Sequence, residues 1–322
     1  MTVQQSLDNL FSNGLTEILA SLEDERRRRV AFVWKWVALV VFLALAASGV
    51  VLIKAETFFG VIVAAVLGLI ACICLVSRQG SAFAGAFKTR VMPELVHALG
   101  PGLEYDGWDY LDVDEFRECG LFMAPDRYHG SDLVEGLVGK TELRFSMVHA
   151  EEEYEVTDTE TDSDGNTTTT TRTEYRDIFR GILFSADCNK HFSGSTFVCA
   201  GGSGFFSRMR KSFVKLESPE FDRAFTVYSA DQVEARYLLS PGLMERIMNL
   251  REKTGKGLQL SFVGERLYVA VPMSLSAFRP SLWHRIDDLK EVTGYFWLLQ
   301  LIVGMVDDLN LNLNTRIWSK SA

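Results

Sequence analysis

The densest run of side chains able to do chemistry is FTVYSADQVEARYLLSP, residues 225–241, where Asp231, Gln232, Glu234 and Arg236 fall between two apolar flanks. Two carboxylates and a guanidinium this close can transfer protons or clamp an anion, provided they converge on a cleft with an orienting partner. The same letters also fit the start of a helix. Ser229-Ala-Asp-Gln232 has the S-x-x-Q form of a capping box, in which the Ser hydroxyl takes the amide of residue 232 and Gln232 reaches back. Asp231 then lies in a first turn, where the helix dipole favours negative charge. Gln232 and Arg236 are four apart and share a face, as do Val233 and Tyr237, whereas Glu234 and Arg236 do not. Ser240-Pro241 repeats the signal, with a cap followed by Pro at the first helical position. The stretch reads as two capped helices in succession.

Other chemistry-bearing clusters are looser. ADCNKH brings together Asp187, Cys188 and His191, a ligand set that lacks a fourth group at metal-site spacing. CAGGSGFFSRMRK offers Gly amides with Arg208, Arg210 and Lys211, which suits a phosphate or a lipid headgroup as well as a loop. GLVGKT ends like a phosphate-binding loop, but Val134 stands where its first Gly belongs, and a strand pattern follows. Glu160-x-Asp162-x-Asp164-Gly165 copies the opening of a calcium loop, yet Thr171 occupies the position that needs a bidentate Glu. The five histidines show no catalytic or metal-binding spacing along the chain, and no Ser lies in G-x-S-x-G. Asp187, His191, Asp231, Glu234, Arg236, Arg208, Arg210 and Lys211 are therefore candidate ligand or interface residues. No catalytic, cofactor-binding or metal-binding role is assigned, and no cofactor is expected.

The elements that must position these residues begin with a membrane hairpin. AFVWKWVALVVFLALAASGVVLI (residues 31–53) and FFGVIVAAVLGLIACICLV (residues 58–76) are two apolar runs of 23 and 19 residues. As helices they would be about 34 and 28 Å long, against a hydrocarbon core of about 30 Å. Lys35 is the only charge inside either run, close enough to the end to snorkel beside Trp34 and Trp36. Arg26 to Arg29 precede the first run, and Arg78, Lys88 and Arg90 follow the second. That bias predicts both termini on the cytoplasmic side. A cleaved signal peptide would have to accept 25 residues ahead of the basic block and a second span behind it. In residues 1–30, Leu7, Leu10, Phe11, Leu15, Ile18, Leu19 and Leu22 recur at helical spacing opposite a face without Lys or Arg, which predicts a stripe packed on protein.

The chain has 322 residues, 48% of them apolar, enough for this anchor (31–77) and a sizeable core beyond it (78–322). A net charge of -9 argues against nucleic acid as a partner. Five scattered cysteines without framework spacing predict reduced thiols. DVDEFRECG predicts a short helix capped by Asp112 with Glu115 reaching back, and TELRFSMVHAEEEYEV a strand. Residues 151–177 predict a projecting polar ribbon turning at Asp164-Gly165, with Tyr154 opposite Tyr175, Glu153 opposite Arg176 and Glu155 opposite Glu174. PGLMERIMNLREKTG predicts a helix, and GLQLSFVGERLYVAVP a hairpin turning at Gly264-Glu265. YFWLLQLIVGMV, residues 295–306, is too short to span and predicts a buried core helix, with an interfacial segment as the alternative. The fold class is α+β: a two-helix transmembrane hairpin, then a mixed, mainly antiparallel sheet with flanking helices.

FRGILFSADCNKHFSGSTFV, KLESPEFDRAFTVYSADQVEARYLLSPGLMERI and LSFVGERLYVAVP, behind a two-span hairpin, resemble a bacterial family classed as a domain of unknown function (DUF3137-like). The resemblance covers most of residues 81–318, and departs after Val198, where CAGGSGFF replaces a stretch closer to Leu-Pro-Asp. It implies a bacterial inner-membrane protein, sometimes encoded near membrane proteins of the LemA type, and it supplies no site residue. The expected role is binding or scaffolding in a membrane assembly, with the bilayer and a membrane protein or a second copy as partners. An enzyme or ligand sensor with a cleft around Asp187, His191, Asp231 and Arg236 is the competing expectation, and a lipid-contacting module the third.

Overall fold

Uninterrupted apolar sequence dictates the first two elements. The computed structural model describes residues 14–54, 58–161, 167–188, 192–201, 212–275, 277–286 and 289–308. Among them α1 (Thr16–Lys54) and α2 (Phe58–Arg90) form an antiparallel helical hairpin. Both helices are long and apolar enough to cross a membrane, and only 6% of the most apolar stretch of each is buried. A core helix of a water-soluble fold would hide that surface, because burial of apolar area is what holds such a fold together. α2 ends at Arg90 and α3 (Met92–Leu99) restarts one residue on, the break falling just before Pro93 as its ring demands.

The chain divides into two compact units. The first comprises Met1–Ala98 and Arg279–Trp297, so that a segment distant in sequence groups with the apolar helices. Leu15, Leu19 and Leu22 are buried, as the helical stripe predicts, while Leu7, Leu10 and Phe11 lie outside the described residues. Much of the basic block is engaged. Glu23 accepts from Arg26 at 2.7 and 2.8 Å and from Arg27 at 2.9 Å, while Arg26 Nη1 donates to the Leu282 carbonyl at 3.0 Å. The Ile286 amide lies 3.3 Å from Glu23 Oε2. The Arg26 guanidinium holds the Glu23 carboxyl down to about 2. Glu25 joins Arg29 of its own helix to Arg90 of α2 at 2.6 and 3.2 Å.

The second unit, Leu99–Phe278 with Leu298–Ala322, is built on one nine-stranded sheet. Its strands are β1 (Leu103–Asp106), β2 (Arg127–Val138), β3 (Thr141–Thr161), β4 (Thr167–Asp187), β5 (Thr196–Ala200), β6 (Ser212–Val214), β7 (Phe225–Ser229), β8 (Gln259–Val263) and β9 (Arg266–Pro272). Their order is β1-β2-β3-β4-β9-β8-β5-β7-β6, and every described pairing is antiparallel. The β8–β9 register matches expectation, with Leu260 opposite Val269 and Phe262 opposite Leu267. GLVGKT is the β2–β3 turn, with Gly139 at φ +64°, so its resemblance to a phosphate loop goes no further than its letters.

Short helices flank the sheet. Asp112 caps α4 (Val113–Glu118) by accepting from the Glu115 amide. The Glu115 side chain, expected to reach back, instead takes Arg144 Nη1 at 2.9 Å. Buried charge seeks its strongest partner, and the guanidinium outcompetes an amide. α5 (Pro219–Ala224) packs on β7 and on α7 (Pro241–Thr254), with α6 (Gln232–Leu238) between the latter two in sequence. α7 buries Met244, Ile247 and Leu250. α8 (Leu289–Val303) buries Val292, Phe296, Leu299, Ile302 and Val303, a single face at helical spacing. That matches the core-helix reading. α9 (Met305–Asp308) follows a break at Gly304. Aromatic and aliphatic residues including Phe116, Phe179, Phe197 and Tyr268 form one core cluster under the sheet, with the thiols of Cys119 and Cys199 buried in it and none of the five cysteines bonded to another.

Candidate functional site

Residues 225–241 fold as the strand β7, then α6, then α7. The cap of α6 differs from the expected box. Asp231, not Ser229, is the N-cap, and its Oδ1 accepts from the amides of Val233 and Glu234 at 2.8 and 3.0 Å. Ser229 remains the last residue of β7, fully buried, where its hydroxyl accepts from the Asp231 amide at 3.2 Å. A strand that keeps Ser229 in its ladder delays the helix by two residues and hands the cap to the next side-chain oxygen. Gln232 does not reach back; its Oε1 accepts from Arg236 Nη2 at 3.1 Å. The second start is as expected, with Ser240 capping α7 ahead of Pro241.

Glu234 makes the longest-range contact of the group. Its two carboxylate oxygens accept from the consecutive amides of Ser193 and Gly194, each at 2.8 Å. Paired amides of this kind are an anion seat, and here the protein's own carboxylate fills it. Arg236 Nε also donates to the Lys215 carbonyl at 3.3 Å. Asp187 ends β4, across the ladder from Arg266. His191, Arg208, Arg210 and Lys211 lie outside the described residues. Of the sequence candidates, Asp231, Glu234 and Arg236 thus come together on α6, each held by backbone amides, a carbonyl or a helix neighbour.

A different constellation assembles at the base of the polar ribbon. His129 on β2 stands opposite His149 on β3, and Glu151, two residues along β3, stands opposite Asp177 on β4. His149 Nε2 is 2.8 Å from Asp177 Oδ1 and 3.8 Å from Glu151 Oε1. His129 Nε2 is 3.8 Å from Glu151 Oε2. The two rings meet edge to face at 5.7 Å. One ligand atom from each of His129, His149 and Glu151 fits within a mutual 4.8 Å. Two cations border the group: Arg180 pairs with Asp177 Oδ2 at 2.9 Å, and Arg127 lies over the Tyr175 ring at 3.4 Å. The hydrogen bond with His149, and then Arg180, hold the Asp177 carboxyl below its ordinary range.

Two β-bulges create this face. On β2, Asp132 and Leu133 together face Ser146, so that Ser131 pairs with Met147 and Val134 with Phe145. Asp132 sits at φ +65°, and its buried carboxylate accepts from the Tyr105 hydroxyl at 2.6 Å. On β4, Ile178 is the extra residue, between Phe179 opposite Ala150 and Asp177 opposite Glu151. A regular ladder would set His129 against Ala150, on the core face, and Asp177 against Glu152, because side chains alternate with a period of two. The bulges turn both toward His149 and Glu151.

The second bulge also corrects the ribbon register by one residue. Tyr154 is opposite Glu174, Glu153 opposite Tyr175 and Glu152 opposite Arg176. The described pairing ends at Thr161 and Thr167, and the expected turn at Asp164-Gly165 lies outside the described residues. The shift removes the expected Glu155–Glu174 clash. Tyr154 now donates to Glu174 at 2.8 Å, Tyr175 to Glu153 at 3.0 Å and Arg176 Nε to Glu152 at 2.6 Å. Extended strands flank the turn, with Thr171 paired to Thr157, so the calcium-loop pattern lacks its helices.

Chain spacing hides the histidine group, because its members come from three strands. Folding the letters about Gly139-Lys140 and admitting one bulge would have exposed the His129–His149 pair.

Residues 177–311 match a family model described as a protein of unknown function (DUF3137). The match runs from Asp177 through the end of α9 and leaves His129, His149 and Glu151 outside it. No curated protein and no solved structure matches the chain.

Proposed function

We propose that this chain, with its DUF3137-like domain over residues 177–311, is a membrane-anchored binding or scaffolding protein that presents the β3–β4 ribbon to a partner. One observation carries the reading. The described pairing of β3 with β2 stops at Glu151, and that of β4 with β9 stops at Gly181. Beyond those points, among the described residues, the two strands pair only with each other, as far as Thr161 and Thr167. Two-stranded ribbons are marginal in water, so a long one reaching past its sheet needs cross-strand pairs, and a contact surface is a reason to keep it. The apolar helices supply the anchor, and the Lys and Arg residues at 26–29, 78, 88 and 90 favour both termini on the cytoplasmic face of a bacterial inner membrane.

The test is photocrosslinking from the exposed ribbon positions Thr157 and Thr171 in intact membranes. A discrete adduct, to another membrane protein or to a second copy, is expected from the ribbon and not from the exposed Glu252 on α7. Ribbon positions that give no adduct, or no more than Glu252 does, would contradict the reading.

A second reading, lipid contact, is favoured by Trp283. It joins Val33, Trp34, Val37, Cys72, Ile73, Val76 and Ser77 around an apolar cleft in the first unit. Trp34 and Lys35 mark the expected headgroup level, where amphipathic rings settle. The lipid-facing candidate is therefore Trp283, and not the buried face of α8.

A further inference from the structure

We infer that His129, His149, Glu151 and Asp177 form a binding site for a divalent transition-metal ion of the zinc type. Two imidazoles and two carboxylates are a donor set that suits borderline ions such as Zn²⁺ and Co²⁺ and is poorly matched to Ca²⁺, which takes six or more oxygens. His129, His149 and Glu151 bring one ligand atom each within a mutual 4.8 Å, with Nε2 of each histidine 3.8 Å from a Glu151 oxygen, and Asp177 joins them beside His149, 2.8 Å from its Nε2. Tetrahedral ligation at about 2.0–2.1 Å puts neighbouring donors a little over 3 Å apart, so the side chains rotate inward to close the shell.

Independent support comes from the backbone. Two bulges, at Asp132–Leu133 and at Ile178, each give up ladder regularity, and both are needed to bring these four residues to one face. The first keeps a non-glycine residue at φ +65° and fixes it with the Tyr105 hydroxyl on a buried carboxylate. Two separate irregularities that converge on one side-chain cluster mark a site the fold is built around.

The neighbouring cations fit this arrangement. Arg180 holds Asp177 through Oδ2, which leaves Oδ1 for the ion and orients the carboxylate as an outer partner would. The same guanidinium nitrogen comes within 3.5 Å of His149 Nε2, and the half-exposed side chain has room to draw back from that ring while it keeps Asp177. Arg127 is stacked on Tyr175. A bound ion would clamp β2, β3 and β4 together where the free ribbon begins, stiffening the base of the surface proposed above as the contact element. The site itself does not depend on that proposal.

The experiment uses the full chain in detergent, purified without a histidine tag, with Zn²⁺ and Co²⁺ as probes. Equilibrium dialysis should find one tight equivalent of Zn²⁺. Co²⁺ should give the visible d–d bands of a four- or five-coordinate site, abolished by excess Zn²⁺. His149→Ala should lose both signals, and Asp177→Asn should weaken Zn²⁺ at least 10-fold. His129→Gln is the folding-safe variant, because that ring is more than half exposed, and it should weaken Zn²⁺ by a similar factor while the far-ultraviolet spectrum stays unchanged. Wild type without a tight equivalent would overturn the inference. So would a His129→Gln variant that keeps wild-type affinity and d–d bands, since the ion would then sit elsewhere.

Discussion

Single side chains in this protein act mainly on its own backbone. Asp231 caps α6 and Glu234 seats two distant amides, which is how a sequence cluster with catalytic vocabulary is used as scaffolding. Asp231→Ala should cost about 1 kcal/mol in chemical denaturation, the usual toll for a lost cap. A loss beyond about 2 kcal/mol would show Asp231 doing more than capping. Glu23 is the residue with a readable pH signature. Its carboxyl is lowered from 4.5 to about 2 by Arg26, so its folded form releases the proton more readily than its unfolded one. The junction it makes should be at full strength above pH 4.5 and fade as the pH falls toward about 2. Fluorescence of Trp283, on the segment tied to Arg26 through Leu282, is the local probe. Wild type should show a transition in that window that Glu23→Gln lacks; identical titrations would refute the assignment. The caps at Asp112 and Ser240 were legible because Asp and Ser-Pro carry their own mechanism. The partners of Glu115 and Glu234 were not, since Arg144 and Ser193 are distant in sequence and meet them only in the fold.

Among elements, the sheet makes the sharpest distinction between what sequence encodes locally and what packing decides. The β8–β9 hairpin was readable because Gly264-Glu265 is a two-residue turn with regular alternation on both sides. The ribbon was readable as a hairpin but not in register, because bulges at Asp132 and Ile178 carry no glycine and no compositional mark. The histidine cluster depends on both bulges, so it was invisible for the same reason. Gly181 tests how tightly this region is set. Its φ is +157° and a Cβ would stand 2.1 Å from the Val271 carbonyl oxygen. Gly181→Ala should therefore destabilise the sheet by more than about 1 kcal/mol and speed hydrogen exchange of β9 amides. A change within about 0.5 kcal/mol would mean that β4 and β9 part easily here.

For the whole molecule, the anchoring proposal follows from two helices with exposed apolar surfaces in a chain whose sheet unit has its own core. Hydropathy and length were legible from the letters, since burial in lipid needs only about 20 apolar residues and no partner. Grouping of Arg279–Trp297 with those helices was not, because it depends on Arg26, Ser81 and Phe87 meeting groups some 200 residues away. The side of the membrane on which the sheet lies is the claim on which the ribbon and its proposed partner both rest. Paired reporter fusions decide it, with an export-dependent phosphatase and a fluorescent protein that matures only in the cytoplasm. The two reporters are placed in turn after Ala55, between the spans, and after Ala322. Phosphatase activity is expected only from the position between the spans, and fluorescence only from the terminal one. The reverse pattern, or fluorescence from both in a product that stays in the soluble fraction, would contradict that topology.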